Sequence, residues 1–102
     1  MPHYILAESA NHDIDEILPA IVEDNEGAAW NWYVRLHEKF GILAHSPHIG
    51  RVREDLLPGA FMFPFGSYLI FYELIHGGIQ VVHVAHGARD VASLYTQPSG
   101  NS

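Results

Sequence analysis

Three arginines and one histidine are the side chains of this sequence best suited to contact an anionic group. Arg51 and Arg53 lie one residue apart in a stretch rich in proline and glycine, so both could point toward the same anionic surface. His86 and Arg89 follow an apolar run, and Tyr95 comes shortly after them. His86 could act as a general acid or base, assisted by Tyr95. The pair Arg89-Asp90 could bind or take part in catalysis.

The same residues have structural roles open to them. Arg51 and Arg53 could hold their own loop by pairing with Glu54 or Asp55, since such surface ion pairs are common and weak. Asp90 could cap a short helix that follows it. No positioned nucleophile or phosphate clamp accompanies the histidine. The sequence therefore favours structural roles over catalysis, and we expect a binding protein rather than an enzyme.

The histidine spacing does not predict a metal site. His45 and His48 straddle a helix end at Pro47, and His83 and His86 lie three apart on a predicted strand. Positions i and i+3 of a strand face opposite sides, so those two rings do not converge easily. The chain has no cysteine, which excludes disulfides, Cys-based zinc sites and thiol catalysis. We expect neither a metal nor a cofactor.

Charge is distributed unevenly along the chain. The formal net charge is −7, and residues 1–34 hold no Lys or Arg. Proteins that bind phosphate backbones normally carry basic stripes, so we expect no direct contact with nucleic acid. No apolar run reaches the roughly 18 residues of a membrane span, so we expect a cytoplasmic protein with no membrane contact. The acids of this first third are Glu8, Asp13, Asp15, Glu16, Glu23, Asp24 and Glu26.

Two helices are predicted in the first half. Apolar residues from Ile14 to Val22 follow the spacing of one helical face, with Ser9 as a candidate N-cap. Pro19 lies inside that pattern and predicts a kink or an early end. The second helix is predicted over roughly residues 27–45, before Pro47. The two helices should form an antiparallel hairpin.

The second half changes to strand patterns. A loop is predicted over 46–59, then strands at 60–65, 68–75 and 79–85, with Gly66-Ser67 and Gly77-Gly78 as two-residue turns. With a first strand near residues 3–7, the order is β-α-α-β-β-β. This is an α+β fold in which a helical hairpin packs on an antiparallel sheet. One domain should span residues 1–95, including a short helix near 90–95, with a flexible tail at 96–102.

Aromatic residues crowd two places and suggest a surface for a partner. Trp30, Trp32 and Tyr33 cannot all share one narrow helical stripe, so at least one ring should face outward. The strand at 60–65 is apolar on both faces, so Phe61, Phe63 and Phe65 either pack within the domain or line an exposed groove for a partner segment.

Several motifs stand in the order found in one protein family. The chain resembles the ParE branch of the RelE/ParE superfamily, the toxins of bacterial toxin–antitoxin pairs. The resemblance spans about residues 4–95. It is carried by Ala10-x-x-Asp13-Ile14-x-x-Ile17, Leu43-x-x-Ser46-Pro47-x-x-Gly50-Arg51-x-Arg53, Tyr68-Leu69-Ile70-Phe71-Tyr72 and Val84-x-His86-Gly87-Ala88-Arg89-Asp90.

The resemblance implies a toxin that a small ParD-like antitoxin neutralises in a hetero-oligomer. It also implies DNA gyrase as the target, with Arg51, Arg53 and Arg89 contacting it. Antitoxins of this family place apolar anchors over the sheet and helix pair, which suggests Trp30, Phe61, Phe63 and Phe65 as their contacts. Because the first third is acidic, the antitoxin segment that faces the first helix should be neutral or basic.

Two alternatives remain beside the gyrase inhibitor. A RelE-like ribosome-dependent endoribonuclease would use Arg51, Arg53, His86, Arg89 and Tyr95. The chain departs from that pattern, because Phe61 stands where many relatives carry an arginine and Lys39 is its one lysine. A phosphodiester transition state needs such cations. The other alternative is a complex-forming module that has lost toxicity.

Overall fold

The computed structural model describes residues 2–88, and the predicted helix near 90–95 and the tail at 96–102 lie outside them. The helices are α1 (Glu8–Asp24) and α2 (Glu26–His45), followed by a 3-10 turn at Pro47–Ile49. The strands are β1 (His3–Leu6), β2 (Arg51–Val52), β3 (Ala60–Phe65), β4 (Tyr68–Ile75) and β5 (Gly78–His86). In this part of the chain, no helix is long and apolar enough to cross a membrane.

The first helix passes through Pro19 without ending there. α1 continues for five more residues to Asp24, so of the two alternatives predicted at the proline, a kink or an early end, the early end is wrong. Because Pro19 has no N–H, the Asp15 carbonyl loses its hydrogen-bond partner within the helix. Both residues lie on the exposed side of α1, where water can hydrogen-bond to that carbonyl. On the opposite side, Ala10 and Ile14 are buried in the core and Ile17 packs against the same core. Packing on the sheet therefore outweighs the missing hydrogen bond.

The second helix matches its prediction. Asn25 caps it, because its side-chain oxygen accepts a hydrogen bond of 3.0 Å from the Ala28 N–H. α2 ends at His45, two residues before Pro47. Leu36, Phe40 and Leu43 recur at helical spacing on its buried face.

The five strands form one mixed sheet in the order β1-β5-β4-β3-β2. β3, β4 and β5 are antiparallel neighbours, as predicted, and β1 adds a parallel pair to β5. β2 was predicted as part of a loop, but Arg51 and Val52 pair with Met62 and Phe61. Two residues are too few to give a strand pattern, and the free edge of β3 supplies their partners.

The two hairpin turns differ in how well they match the sequence. Gly66-Ser67 joins β3 to β4 as predicted, with Gly66 at a φ of 60°. The second turn is formed by His76 and Gly77 rather than by Gly77 and Gly78, because Gly78 already pairs with Ile75. Gly77 supplies the positive φ, 83°. Gly78 lies so close to the His3 backbone of β1 that a Cβ there would overlap it.

The two faces of the sheet are buried to different extents. The helices cover one face, where the rings of Phe40 and Tyr72 and the side chains of Leu36, Ile70 and Val81 form the main core. The other face holds a smaller cluster of Met62, Leu69, Phe71 and Ala85, together with Leu56 from the loop before β3. The sheet therefore presents two chemically different sides on which functional residues can lie.

Beyond the end of β1, residues at the start of α1 hydrogen-bond to the edge of β5. Leu6 pairs with Val81, and the Ala7 N–H then donates to the Val81 carbonyl at 2.9 Å. The Ser9 hydroxyl donates to the Val82 carbonyl at 2.6 Å. The prediction of Ser9 as the N-cap of α1 is therefore wrong. The N-cap is Ala7, which makes no side-chain hydrogen bond there.

The Asp13 side chain of α1 contacts the next residues along the edge of β5. Its carboxylate accepts a hydrogen bond of 3.0 Å from the Val84 N–H, and the same oxygen lies 2.8 Å from Nδ1 of His83. Both side chains are largely buried. Asp13 thus satisfies the Val84 N–H, which no neighbouring strand reaches.

Candidate functional site

The loop that carries Arg51 and Arg53 is anchored to the core through a tyrosine. The Tyr72 hydroxyl donates a hydrogen bond of 2.7 Å to the Pro47 carbonyl. Its burial raises the pKa of the Tyr72 hydroxyl to about 12. A Cβ at Gly50 would overlap that hydroxyl and approach the Met62 carbonyl at 3.1 Å. The glycine before the two arginines is therefore required by the close approach of Tyr72.

Arg53 holds its own loop. Its Nε and Nη2 donate to the two carboxylate oxygens of Asp55 at 2.9 and 2.8 Å, and this contact lowers the pKa of Asp55. Its Nη1 lies 3.4 Å from the sulfur of Met62. The structural role considered for Arg53 is thus observed.

Arg51 is the more available of the two arginines. It is exposed on the edge strand β2, and no carboxylate within residues 2–88 comes within ion-pair distance of it. Arg51 pairs with Met62, and Arg53 contacts the same residue, so both arginines lie on the sheet face opposite the helices. Arg89, the third residue predicted to contact a target, lies outside the described residues.

His86 lies on the other face of the sheet. It pairs with Tyr68, and its ring meets the Tyr68 ring edge to face at 5.4 Å. Its Nδ1 accepts a hydrogen bond of 3.1 Å from the Ala88 N–H. Tyr68 packs against the core under the helices. His86 is therefore held at the end of β5, on the side that faces the helices.

Among the candidate catalytic residues that the structure describes, His86 lies apart from Arg51 and Arg53. Arg51 and His86 lie on opposite faces, and their strands are three strand spacings apart, about 14 Å. A single phosphate cannot be held by Arg51 and protonated by His86 in this arrangement. Arg89 and Tyr95 lie outside the described residues. Within residues 2–88, no group of three or more His, Asp or Glu residues could hold a metal ion.

The three phenylalanines of β3 all face the helices. Phe61 is 7% exposed and stacks on Tyr72 with the ring centroids 5.4 Å apart. Phe63 and Phe65 are half-buried at the margin of the same core. Of the two alternatives left open for these residues, Phe61 follows the first and packs within the domain, where its ring stacks on Tyr72 in the main core. Phe63 and Phe65 retain surface that a partner can reach.

Trp30 is the most exposed aromatic residue of α2. It is 65% exposed and stacks on Tyr33 at 6.3 Å, which confirms that one of the crowded rings faces outward. The two rings line a cavity of about 500 Å³ between the outer sides of α1 and α2, together with Leu18 and Val22. We call this the hairpin groove. Its remaining lining residues are Ala29 and two acids, Asp15 and Glu26.

Arg35 was not singled out in the sequence, and Tyr33 and Lys39 were named there without a role at a binding surface. Tyr33 lies three residues after Trp30, and Arg35 and Lys39 lie three and seven residues after Trp32. These spacings place each set on one side of a helix. The signal was present in the sequence, but it becomes specific only when the neighbouring elements are known.

The chain has the α+β fold that its resemblance to ParE-like toxins predicted. A family model described as "ParE toxin of type II toxin-antitoxin system, parDE" matches residues 4–91. The chain belongs to this family. The matched range includes Asp13, Tyr72 and the loop that carries Arg51 and Arg53.

Comparison with solved structures gives the same fold. The chain is similar to a structure described as "Chromosomal ParDE TA system from P. aeruginosa", with a TM-score of 0.69 and 17% sequence identity. The alignment covers 84% of this chain and 96% of that one. At this identity, the likeness concerns the fold alone. No curated protein sequence matches the chain.

Proposed function

We propose that this ParE-family toxin inhibits growth by binding DNA gyrase and that a small ParD-like antitoxin neutralises it in a hetero-oligomer. Both partners would be met in the bacterial cytoplasm. The observation that carries the proposal is the separation of Arg51 from His86 on opposite sheet faces. If a ribonuclease of this family needed Arg51 to bind the phosphate and His86 to transfer the proton, this separation would prevent it, so the arrangement suits protein binding better than RNA cleavage.

The hairpin groove supports the antitoxin partnership. A stacked Trp30–Tyr33 pair at the surface is costly to leave in water, and buried aromatic anchors contribute much of the binding energy at interfaces. Asp15 and Glu26 border the groove, so the antitoxin segment that covers it should be neutral or basic. An antitoxin that places acidic side chains along this groove would contradict the assignment.

Phe63 and Phe65 extend the proposed antitoxin contact to the other side of α2. Phe65 packs edge to face against Trp32 at 6.2 Å, and Phe63 lies beneath Lys39. A segment that crosses α2 from the hairpin groove would reach both rings. Phe61 would act only from the core, by supporting its neighbours on β3.

Arg51 is the residue on which we base the gyrase contact. It is exposed on an edge strand, and the bidentate pair of Arg53 with Asp55 fixes the loop beside it. Arg53 and Arg89 would add to the same contact. This arrangement presents positive charge on a sheet face that the helices do not cover.

The function is tested by expressing the protein from a tightly controlled promoter in bacteria without the antitoxin. The incorporation of labelled thymidine and labelled methionine is followed over the first minutes. We expect DNA synthesis to fall before protein synthesis, and Arg51→Gln to delay the fall. A prior fall in protein synthesis would favour the ribonuclease, and no fall in either would make the chain a non-toxic binding module.

A further inference from the structure

A second groove lies on the opposite side of α2 from the hairpin groove. It has a volume of about 410 Å³ and runs between α2 and the Gly66-Ser67 turn. Trp32 lines it, and its ring meets the Phe65 ring at 6.2 Å and the Tyr68 ring at 5.4 Å, both edge to face. Arg35 and Lys39 border it. We call this the basic groove.

The two cations of the basic groove lack acidic partners among residues 2–88. No Asp or Glu oxygen of this part of the chain lies within 4.0 Å of Arg35 or Lys39. Lys39 lies 5.2 Å from the centre of the Phe63 ring, a cation–π contact that keeps its charge at the groove. The two side chains are one helical turn apart, so their like charges repel each other until an anion lies between them.

This positive charge contrasts with the net negative charge of the chain. The basic groove holds two of the five Lys and Arg residues of a chain with a net charge of −7. The hairpin groove, on the other side of the same helix, has Asp15 and Glu26 at its border. A partner that touches both sides of α2 must therefore satisfy opposite charges in two places.

We propose that the basic groove binds an acidic segment of the antitoxin, in which carboxylates flank an aromatic or branched aliphatic side chain. The carboxylates pair with Arg35 and Lys39, and the apolar side chain packs on Trp32 and Phe65. Planar carboxylates suit the guanidinium of Arg35 in particular. This inference rests on the proposed antitoxin partnership and adds the charge pattern of the segment.

A peptide suits the groove better than a nucleic acid. The other charge of the chain is mostly negative, so a long phosphate backbone that extended beyond the groove would be repelled. A short peptide segment places its carboxylates only where Arg35 and Lys39 lie. Nucleic acid binding is therefore an outcome for the test to detect rather than the proposal.

The test uses the fluorescence of Trp32. The chain has two tryptophans, so Trp30→Phe leaves Trp32 as the only one and places the reporter in the basic groove. This variant is titrated at low salt with a short synthetic peptide in which glutamates flank a Leu-Phe pair. The same peptide with lysines in place of the glutamates, and a short oligothymidylate, serve as comparison ligands.

We expect the glutamate peptide to shift the Trp32 emission and the lysine peptide to leave it unchanged. Arg35→Gln and Lys39→Gln should each weaken the binding by about tenfold, as the loss of one charge-assisted contact predicts. Arg51→Gln, which removes the same charge outside the groove, should have no effect. Urea unfolding of each variant checks that it remains folded. High salt should weaken the binding of the glutamate peptide, because it screens the charges.

Three results would overturn the proposal: no binding of the glutamate peptide, binding that Arg35→Gln and Lys39→Gln do not change, or tighter binding of the oligothymidylate through the same two residues. Purification of the full chain with the antitoxin encoded beside it is a separate readout. If the antitoxin binds but the peptide does not, the charge inference fails and the partnership stands. If no antitoxin binds, the partnership fails, and this use of the groove fails with it.

Discussion

At the scale of single residues, Tyr72 links the core of the protein to the loop that carries Arg51 and Arg53. Its ring stacks on Phe61, and its hydroxyl donates to the Pro47 carbonyl. Gly50 leaves the space that the hydroxyl occupies. The position of Arg51 therefore depends on a contact between two family motifs that are far apart in the sequence.

Replacement of Gly50 tests this contact. Gly50→Ala would place a Cβ against the Tyr72 hydroxyl, and we expect the free energy of unfolding to fall by about 1–3 kcal/mol, as for other overpacked sites. Gly41→Ala is the matched control, because nothing lies within 4 Å of its Cβ and alanine favours a helix. Urea unfolding measures both. Equal stabilities of the two variants would contradict the close approach.

The raised pKa of Tyr72 predicts how stability depends on alkaline pH. The folded state holds the hydroxyl proton up to about pH 12, whereas the ordinary value is 10.0. The resulting stability is fully present below pH 10 and is lost between pH 10 and about 12, by at most about 1.4 kcal/mol for each pH unit. Urea unfolding at several pH values measures the slope.

Tyr72→Phe is the control for this slope. It should flatten the loss of stability above pH 10 without abolishing it, because burial also raises the pKa of Tyr4. An identical slope in the variant and the original chain would show that Tyr72 does not carry the effect.

At the scale of elements, α1 completes the sheet as well as covering it. Asp13 accepts the Val84 N–H, which has no strand beside it. We expect Asp13→Ala to lower the free energy of unfolding by about 1–3 kcal/mol, the cost of leaving such groups unsatisfied. Asp15→Ala, at an exposed position on the same helix, should change it little. Urea unfolding at neutral pH compares the two, and equal losses would refute the edge role.

The second helix borders two grooves of different charge, which we propose as contacts for the antitoxin. Trp30→Ala should weaken the antitoxin complex by about 2–4 kcal/mol, as for an aromatic residue central to an interface. It should leave stability almost unchanged, because the side chain is 65% exposed in the free protein. Ile42→Ala, also on α2 and 49% exposed, is the control outside the groove. Isothermal titration calorimetry measures the affinity of each variant for the antitoxin. Equal affinities would show that Trp30 does not contribute to the interface.

At the scale of the whole molecule, the elements with strong local patterns were predictable from the sequence. The buried stripe from Leu36 to Leu43 defines α2, and Gly66-Ser67 defines the first hairpin turn. The family motifs further predicted the toxin fold. These features depend on residues close together in the chain, and their periodicity is independent of the final packing.

The features that the sequence did not reveal depend on distant contacts. Arg51 and Val52 become a strand only because the edge of β3 is free, and Ser9 is drawn to the edge of β5 rather than capping its own helix. The opposite faces of Arg51 and His86 follow from the strand register. No local pattern contains this information, because each case depends on which element lies alongside.

The effect of the purified protein on DNA gyrase tests the proposed function most directly. The protein is added to a supercoiling reaction with and without prior incubation with its antitoxin, and Arg51→Gln is assayed beside it. We predict that the toxin inhibits supercoiling, that the antitoxin prevents the inhibition and that Arg51→Gln weakens it. Undiminished supercoiling together with cleavage of ribosome-bound mRNA by the same preparation would contradict the account.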